Sequence, residues 1–555
     1  MSKPTEISGA APSESRTEHG FTRRAVVQSG ALLTTLLSLK SLPAAAVLRP
    51  NSGSLDTARF LASYLSHGFT KADYDSIQQV GYQAFLDQQL ASTLLPDPLW
   101  DSLNTTVVTD MDGTERGFLE LTPKELFDQL SPGMGLGFDG LANIMRIAQV
   151  VRSITTTNQA LDKWSEYLTQ HHIGTFGSDI DNAQPLFFGP YIQSLRTFEG
   201  TITTALQTMA REASMLRYLN VDTNVKTAPN ENFARELVEL YTMSDFDFDT
   251  LFPGGVPEYE AAVKVIARIF TGWNFEKNPA DDELGDFQFV ANDHDNRSKR
   301  LPFLGVIYSS SSGITGEAEG TDLLNRLGTH PSTAQNWADR LCRWFLADAP
   351  PQALIDHVAD RFLASSGRIR TLLEELFDES LLPLWRPQDH PLFLRSSEWF
   401  YWTIRTLGIQ PDGSSYNWVS TLITLGNAPG DNRAPNGYQP GFAAGQDSIF
   451  ERWGHAFAVT RKPSDGVPGL PFPDSRVADV FGGLVGSVAG EPGTPPVVAQ
   501  KASDELTGGL LSTAELQLIQ AYYDEARSAG LPSLDALRDV LALTLIAPRA
   551  QFLCG

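Results

Sequence analysis

The stretch Pro229-Asn230-Glu231-Asn232-Phe233-Ala234-Arg235-Glu236-Leu237-Val238-Glu239-Leu240-Tyr241-Thr242 decides how the chain is read. Pro229 suits a turn just ahead of a helix, and Asn230 is a good N-cap because its side-chain oxygen accepts a free backbone N–H. Phe233, Leu237, Leu240 and Tyr241 recur at helical spacing and predict one buried face. Asn232, Glu236 and Glu239 share another face, and Glu231–Arg235 and Arg235–Glu239 are both i,i+4 pairs of opposite charge. A solvated helix, with ion pairs contributing roughly 0.2–0.5 kcal/mol each, accounts for that spacing alone. Two features argue for more. Carboxamides beside carboxylates at a helix start suit a polar ligand. The helix also runs into an acidic aromatic segment, Asp245-Phe246-Asp247-Phe248-Asp249, rather than a plain surface turn.

Outward from the motif, most of the chain carries helical periodicity. Amphipathic segments run over Leu55–Leu65, twice within Lys71–Gln89, then over Leu141–Thr155, Asn158–His172, Thr201–Leu219 and Glu258–Thr271. Others follow at Gly320–Leu327, Ser332–Leu346, Pro351–Ser365, Arg368–Phe377, Arg395–Leu407, Thr513–Ala529 and Ser533–Leu545. Strand signal is sparse: Phe287-Gln288-Phe289 alternates, and Gly305-Val306-Ile307-Tyr308 can pair with it. Gln410–Phe450 and Lys462–Lys501 are rich in Gly, Pro, Ser and Asn and read as surface cover or the frame of a cleft. The pattern predicts a mainly α fold: a large multi-helix globular domain with a small β-hairpin and long Gly/Pro-rich loops.

Composition narrows the function. A net charge of −24 argues against nonspecific nucleic-acid binding and against docking on anionic lipid, while allowing cationic or neutral partners. Thr22-Arg23-Arg24-Ala25-Val26-Val27-Gln28, the apolar stretch Ser29–Leu42 and the small residues Pro43-Ala44-Ala45-Ala46 look like a twin-arginine export signal. That places a signal peptide at 1–46 and the protein in the periplasm or outside the cell. The stretch is too short and interrupted to span a membrane, and no other segment reads as an integral span. Cys342 falls in an apolar helical pattern, and a disulfide to Cys554 is open in an exported protein. Two cysteines leave no Cys-based zinc or iron–sulfur motif.

A series of motifs in order resembles DUF1800, a family of unknown function. Ala58-Arg59-Phe60-Leu61 with His67-Gly68-Phe69-Thr70 is similar to its opening. Tyr167-Leu168-Thr169-Gln170-His171-His172 follows, with Leu168 where the family has Trp. Ala213–Leu219, Asn230–Thr242 and Tyr259–Trp273 come next. Phe287–Phe289 with His294-Asp295, Lys299 and Leu304-Gly305, then His330–Ala334 and Gly437-Tyr438, complete the order. Met243-Ser244 and an acidic insertion through Pro257 depart from the pattern. The resemblance implies a helical domain over 47–460, followed by a loop-rich linker and C-terminal helices over 461–555 that pack on the same domain. It also implies an exported bacterial protein, often encoded beside a sulfatase-like partner family, DUF1501. That association hints at work on sulfated or anionic polymers.

The matched motifs hold four polar groups that can converge: His171; Glu231, Arg235, Glu236 and Glu239; His294 with Asp295; and Trp273 with Lys299. Carboxyls in different environments divide into acid and base, as glycoside hydrolysis needs. On this reading Glu231 and Glu236 are the acid/base candidates, and His171 and His294 are further proton-transfer groups. Asn230, Asn232, Arg235, Glu239, Trp273 and Lys299 position a polysaccharide or related polymer, with Trp273 as a stacking platform. Trp273 as helix-capping core and Arg235 as a structural ion pair are the plain alternatives. A second reading is a non-catalytic binding or assembly protein working with a sulfatase-like partner. A third is a metal-dependent enzyme whose transition metal is held by His171 or His172 with His294, Asp293, Asp295 and a glutamate. No HExxH spacing, Gly-x-Ser-x-Gly elbow or phosphate-cradling Gly-rich loop is present.

Overall fold

Several helices begin at a residue whose side chain caps them and several end at a residue able to turn them. Asp56 accepts from the Arg59 N–H ahead of Thr57–Tyr64, and Thr70 from Asp73 ahead of Lys71–Val80. Thr201 and Ser512 form reciprocal capping boxes with Thr204 and Glu515. Left-handed Ser366, Gly408 and Gly508 close Gln352–Ser365, Ser396–Leu407 and Val497–Thr507. The computed structural model describes residues 55–104, 108–109, 115–129, 138–172, 184–385, 387, 389–411, 416–429, 448–460, 473–485 and 496–553, all within the compact unit Arg49–Gly555. The expected export segment 1–46, Gly437-Tyr438 and Cys554 lie outside the described residues.

The architecture is mainly α, as the periodicity predicts, with helices at nearly all the expected places. One expected helix is two. Thr201–Leu219 divides into Ile202–Arg211 and Ala213–Tyr218 at Glu212, whose backbone is extended. Helices Tyr416–Thr424 and Asp474–Phe481 also lie inside the two segments that read as loop.

The strands correct the expected pairing. Phe287–Phe289 does not pair with Val306–Tyr308; it pairs antiparallel with Trp273–Phe275. Val306–Tyr308 turns back on Lys299–Leu301. Two glycines explain this. Gly272 (φ +83°) turns the chain out of its helix and accepts from the Val290 N–H, so close that a Cβ would lie 2.6 Å from Val290 O. Gly305 (φ +63°) closes the short turn Pro302–Leu304 between the other two strands. Two further two-stranded sheets are present among the described residues.

The C-terminal helices meet the helix Ser396–Leu407 through two tryptophans. Trp402 and Trp399 donate through their indole N–H to Leu506 O and Leu545 O, each at 3.3 Å. Arg538 reaches Thr460 O at 2.7 Å, and strand Phe552–Leu553 pairs with Leu392–Phe393. Cys342 is buried in the core. The core also holds a charged hub. His67 Nε2 lies 3.2 Å from Asp162 Oδ2, and Asp162 takes Arg152 at 2.8 Å and Arg196 at 2.6 Å. Beside it Glu398 meets Lys163 at 3.2 Å and Arg395 at 2.6 Å. Pairing of this kind makes a buried charge tolerable. Among the described residues no helix is long and apolar enough to cross a membrane.

Candidate functional site

The central motif is a helix of two kinds. It runs α-helical over Asn232–Glu236 and widens into a π-turn over Leu237–Tyr241. Asn230 stands ahead of it: its side chain accepts from the Asn232 N–H at 2.9 Å, and its own N–H donates to Asn224 Oδ1 at 2.9 Å. Asn224 in turn donates to Ala267 O at 2.9 Å. Asn230 therefore fastens the entry turn to the Val256–Ile269 helix. The π-turn alters the expected stripe: Phe233, Leu237 and Tyr241 are buried, but Val238 turns in with them and Leu240 is only half-buried.

A π-turn frees carbonyls, and one helix, Pro331–Phe345, takes them up. Arg340 donates to Leu240 O, Trp337 to Tyr241 O at 3.0 Å, and Asn336 to Thr242 O at 2.6 Å. Arg340 also donates to His171 O at 3.3 Å, tying the end of Gln159–His172 to the same place.

The outer face gathers charge around Arg235. Its guanidinium bonds Glu260 through two N–H groups, at 2.8 and 2.9 Å, and lies 3.5 Å from Glu231 and 3.6 Å from Glu239. Hydrogen bonding to Glu260 raises its already high proton affinity, against a small opposing effect of burial. Tyr259 donates to Glu239 at 2.5 Å. Both expected i,i+4 ion pairs form. Glu260 was not among the expected residues, although it falls inside the matched stretch Tyr259–Trp273.

Glu236 is different. It is half-buried, and among the described residues its carboxylate has neither an ion pair nor a hydrogen bond. Burial, and then the charge of Glu239, raise its pKa from the ordinary glutamate value, while Arg235 opposes them. Its charge bears on Tyr218 and Tyr241. The Tyr218 phenol is pushed up to about 12, by burial first and Glu236 second.

The remaining expected residues do not join this face. His294 is buried; its Nδ1 donates to Thr271 O at 2.8 Å, and its Nε2 accepts from Lys299 Nζ at 3.3 Å. The same Nε2 lies 3.4 Å from Glu319 Oε2. Lys299, also buried, donates to Glu319 Oε2 at 2.6 Å and to Asp295 O. Its ammonium is consumed internally, which corrects its expected role on an anionic substituent. Asp295 is held by Arg268 at 2.8 Å and Arg297 at 2.5 Å. Burial opposes ionisation there, but those hydrogen bonds win and hold it well below the usual carboxylate range. Trp273 is 1% exposed, packed between Phe270 and Phe287 at 5.0 Å each with Arg211 over its ring at 4.8 Å. It is core, with no free face for a sugar. His171 lies among Tyr167 at 5.0 Å and Trp344 at 5.2 Å. The four polar groups thus separate into an exposed face, a buried hub and an aromatic enclosure.

The separation bears on metal binding. His171 and His294 stand in different surroundings, and both oxygens of Asp295 are engaged by arginine. The side chain of His172 lies outside the described residues. No group of three or more His, Cys, Asp or Glu able to hold a metal is found among the described residues.

The chain matches the DUF1800 family over residues 61–552. It belongs to that family of proteins of unknown function. The DUF1800 match runs past 460 to the last strand, so the C-terminal helices are part of the family domain rather than an addition to it. No curated protein and no solved structure matches the chain. Sequence reading of this DUF1800 member missed Glu319, the counter-charge of Lys299, because nothing in Gly316–Thr321 marks it as buried. It also missed Glu212, which burial, and then Asp286, push up to about 7.

Proposed function

We propose that this DUF1800 protein is an exported hydrolase that acts on a polysaccharide or related extracytoplasmic polymer by carboxylate acid/base chemistry, with Glu236 as the proton donor. One observation carries the reading. The motif's three carboxylates stand in two environments: Glu231 and Glu239 lie beside Arg235, while Glu236 is half-buried and, among the described residues, without hydrogen bond or ion pair, its pKa raised. A carboxyl whose pKa is raised holds its proton more firmly and can give it to a leaving oxygen, and the carboxyls beside Arg235 can hold or activate water. Arg235, fixed on Glu260, orients Glu231 and Glu239.

The experiment is a screen of the purified protein against a panel of glycans, repeated with Glu236→Gln. The variant should lose turnover by about 100-fold or more and melt at an unchanged or slightly higher temperature. Undiminished turnover would remove Glu236 from the reaction.

A second reading, a non-catalytic assembly protein working with a sulfatase-like partner, draws support from Trp273, His294, Lys299 and Asp295, which are all interior. It expects no turnover on any glycan and stable association with the partner.

A further inference from the structure

The polar face of the motif continues into an apolar ledge, and Tyr259 joins the two. Its hydroxyl donates to Glu239 and Arg235 lies 5.9 Å from its ring. Its ring packs on Phe248 at 5.8 Å and Phe252 at 5.4 Å, and Phe252 packs on Phe303 at 5.0 Å. Phe252 and Tyr259 form the floor of the ledge, while Phe248 and Phe303 are half-exposed. Val256, 61% exposed, stands one turn before Tyr259 and Glu260 and so shares their side of the helix. Exposed Pro253, Pro257 and Pro302 flank it.

Carboxylates rim this ledge. Asp245, Asp249 and Glu239 are exposed, and Glu231, Glu258 and Glu260 are half-exposed. Against them Arg235 is bound by Glu260, and Lys264 bears on the same Glu260. A sulfated chain laid here would meet like charge; a chain carrying ammonium groups would meet its complement.

We propose that the ledge binds a polysaccharide carrying protonated amino groups. Apolar sugar faces lie on Phe248, Val256 and Phe303, and ammonium groups lie against Glu239, Asp245 and Asp249. The inference rests on the hydrolase reading and names its substrate class. It reverses the sign expected from the sulfatase-like neighbour. A basic peptide has the same charge, but Phe248, Phe252, Val256 and Phe303 all stand on or at the ends of helical turns. The hairpin beside Phe303, Lys299–Leu301 with Val306–Tyr308, has strands of only three residues, a short edge for an extended peptide to pair with.

The test measures binding of the purified protein to polyglucosamine, to its fully N-acetylated form, to dextran sulfate and to polylysine, at mildly acid pH where the amines are charged. Polyglucosamine should bind at least about tenfold tighter than the acetylated polymer, and high salt should weaken it. Phe303→Ser with Val256→Ser, and separately Asp245→Asn with Asp249→Asn, should each weaken it about tenfold at unchanged melting temperature. Equal binding of the acetylated or sulfated polymer, tighter binding of polylysine, or full binding by both variants would overturn the proposal. Binding of polyglucosamine without cleavage leaves this proposal standing and removes the hydrolase reading. Cleavage with no preference for charge does the reverse.

Discussion

Arg235 and Lys299 are both cations placed among carboxylates within one matched family, yet they live in opposite solvents. The Arg235 side chain is 31% exposed and shared among Glu231, Glu239 and Glu260; the Lys299 side chain is wholly buried and answers to Glu319. At the surface water replaces any partner that leaves, so the pairs add little stability and remain available to a ligand. In the interior nothing replaces Glu319, so the pair is a condition of folding. Glu212 and Glu236 stand between these extremes, half-buried and, among the described residues, without an ion pair.

The largest effect should come from breaking the interior pair. Glu319→Gln should destabilise the protein by about 3–5 kcal/mol, because the Lys299 ammonium is left buried without its counter-charge. Replacing both members, Glu319→Leu with Lys299→Met, should restore much of that loss. Denaturant unfolding of the single and double variants measures it, and a double variant no better than the single would contradict the account.

Next comes Glu212. In the folded protein it holds its proton up to about pH 7, against 4.5 for the free side chain. Folding therefore favours the protonated form, and stability falls as pH rises between these values, by no more than about 3 kcal/mol. Glu212→Gln should flatten that part of the melting-temperature profile and melt above the parent at pH values above 7. Parallel profiles would show that Glu212 is ionised in the fold. Glu236→Gln should act in the same direction and less strongly, since its carboxyl is less enclosed.

The smallest effect belongs to Arg235→Gln, expected to cost less than about 1 kcal/mol. It should lower turnover nonetheless, because Glu231 and Glu239 lose their orienting charge. A large fall in melting temperature would mean that the surface cluster behaves like the interior one.

The sequence made legible whatever has a period. Thr57–Tyr64 to Ser533–Ile546 follow their apolar stripes, and Glu231, Arg235 and Glu239 pair as an ideal helix would pair them. It left unread whatever depends on depth. Trp273 and Lys299 carry the same letters whether they face a sugar or the core, and only tertiary packing decides. Strand partners were missed for the same reason: three-residue strands such as Phe287–Phe289 hold too little alternation to choose between neighbours. The π-turn was invisible because Leu237–Tyr241 is as good an α-helix as any on propensity.

That π-turn has a consequence for how the chain can change over time. Leu237–Tyr241 holds one residue more than an α-helical path would need, and its freed carbonyls are met by Arg340, Trp337 and Asn336. Deleting a single residue between Leu237 and Tyr241 would let the turn close to an α-helix while the faces on either side keep their register. A one-residue deletion here should therefore cost less than the same deletion in the regular helix Val256–Ile269, which has no residue to spare.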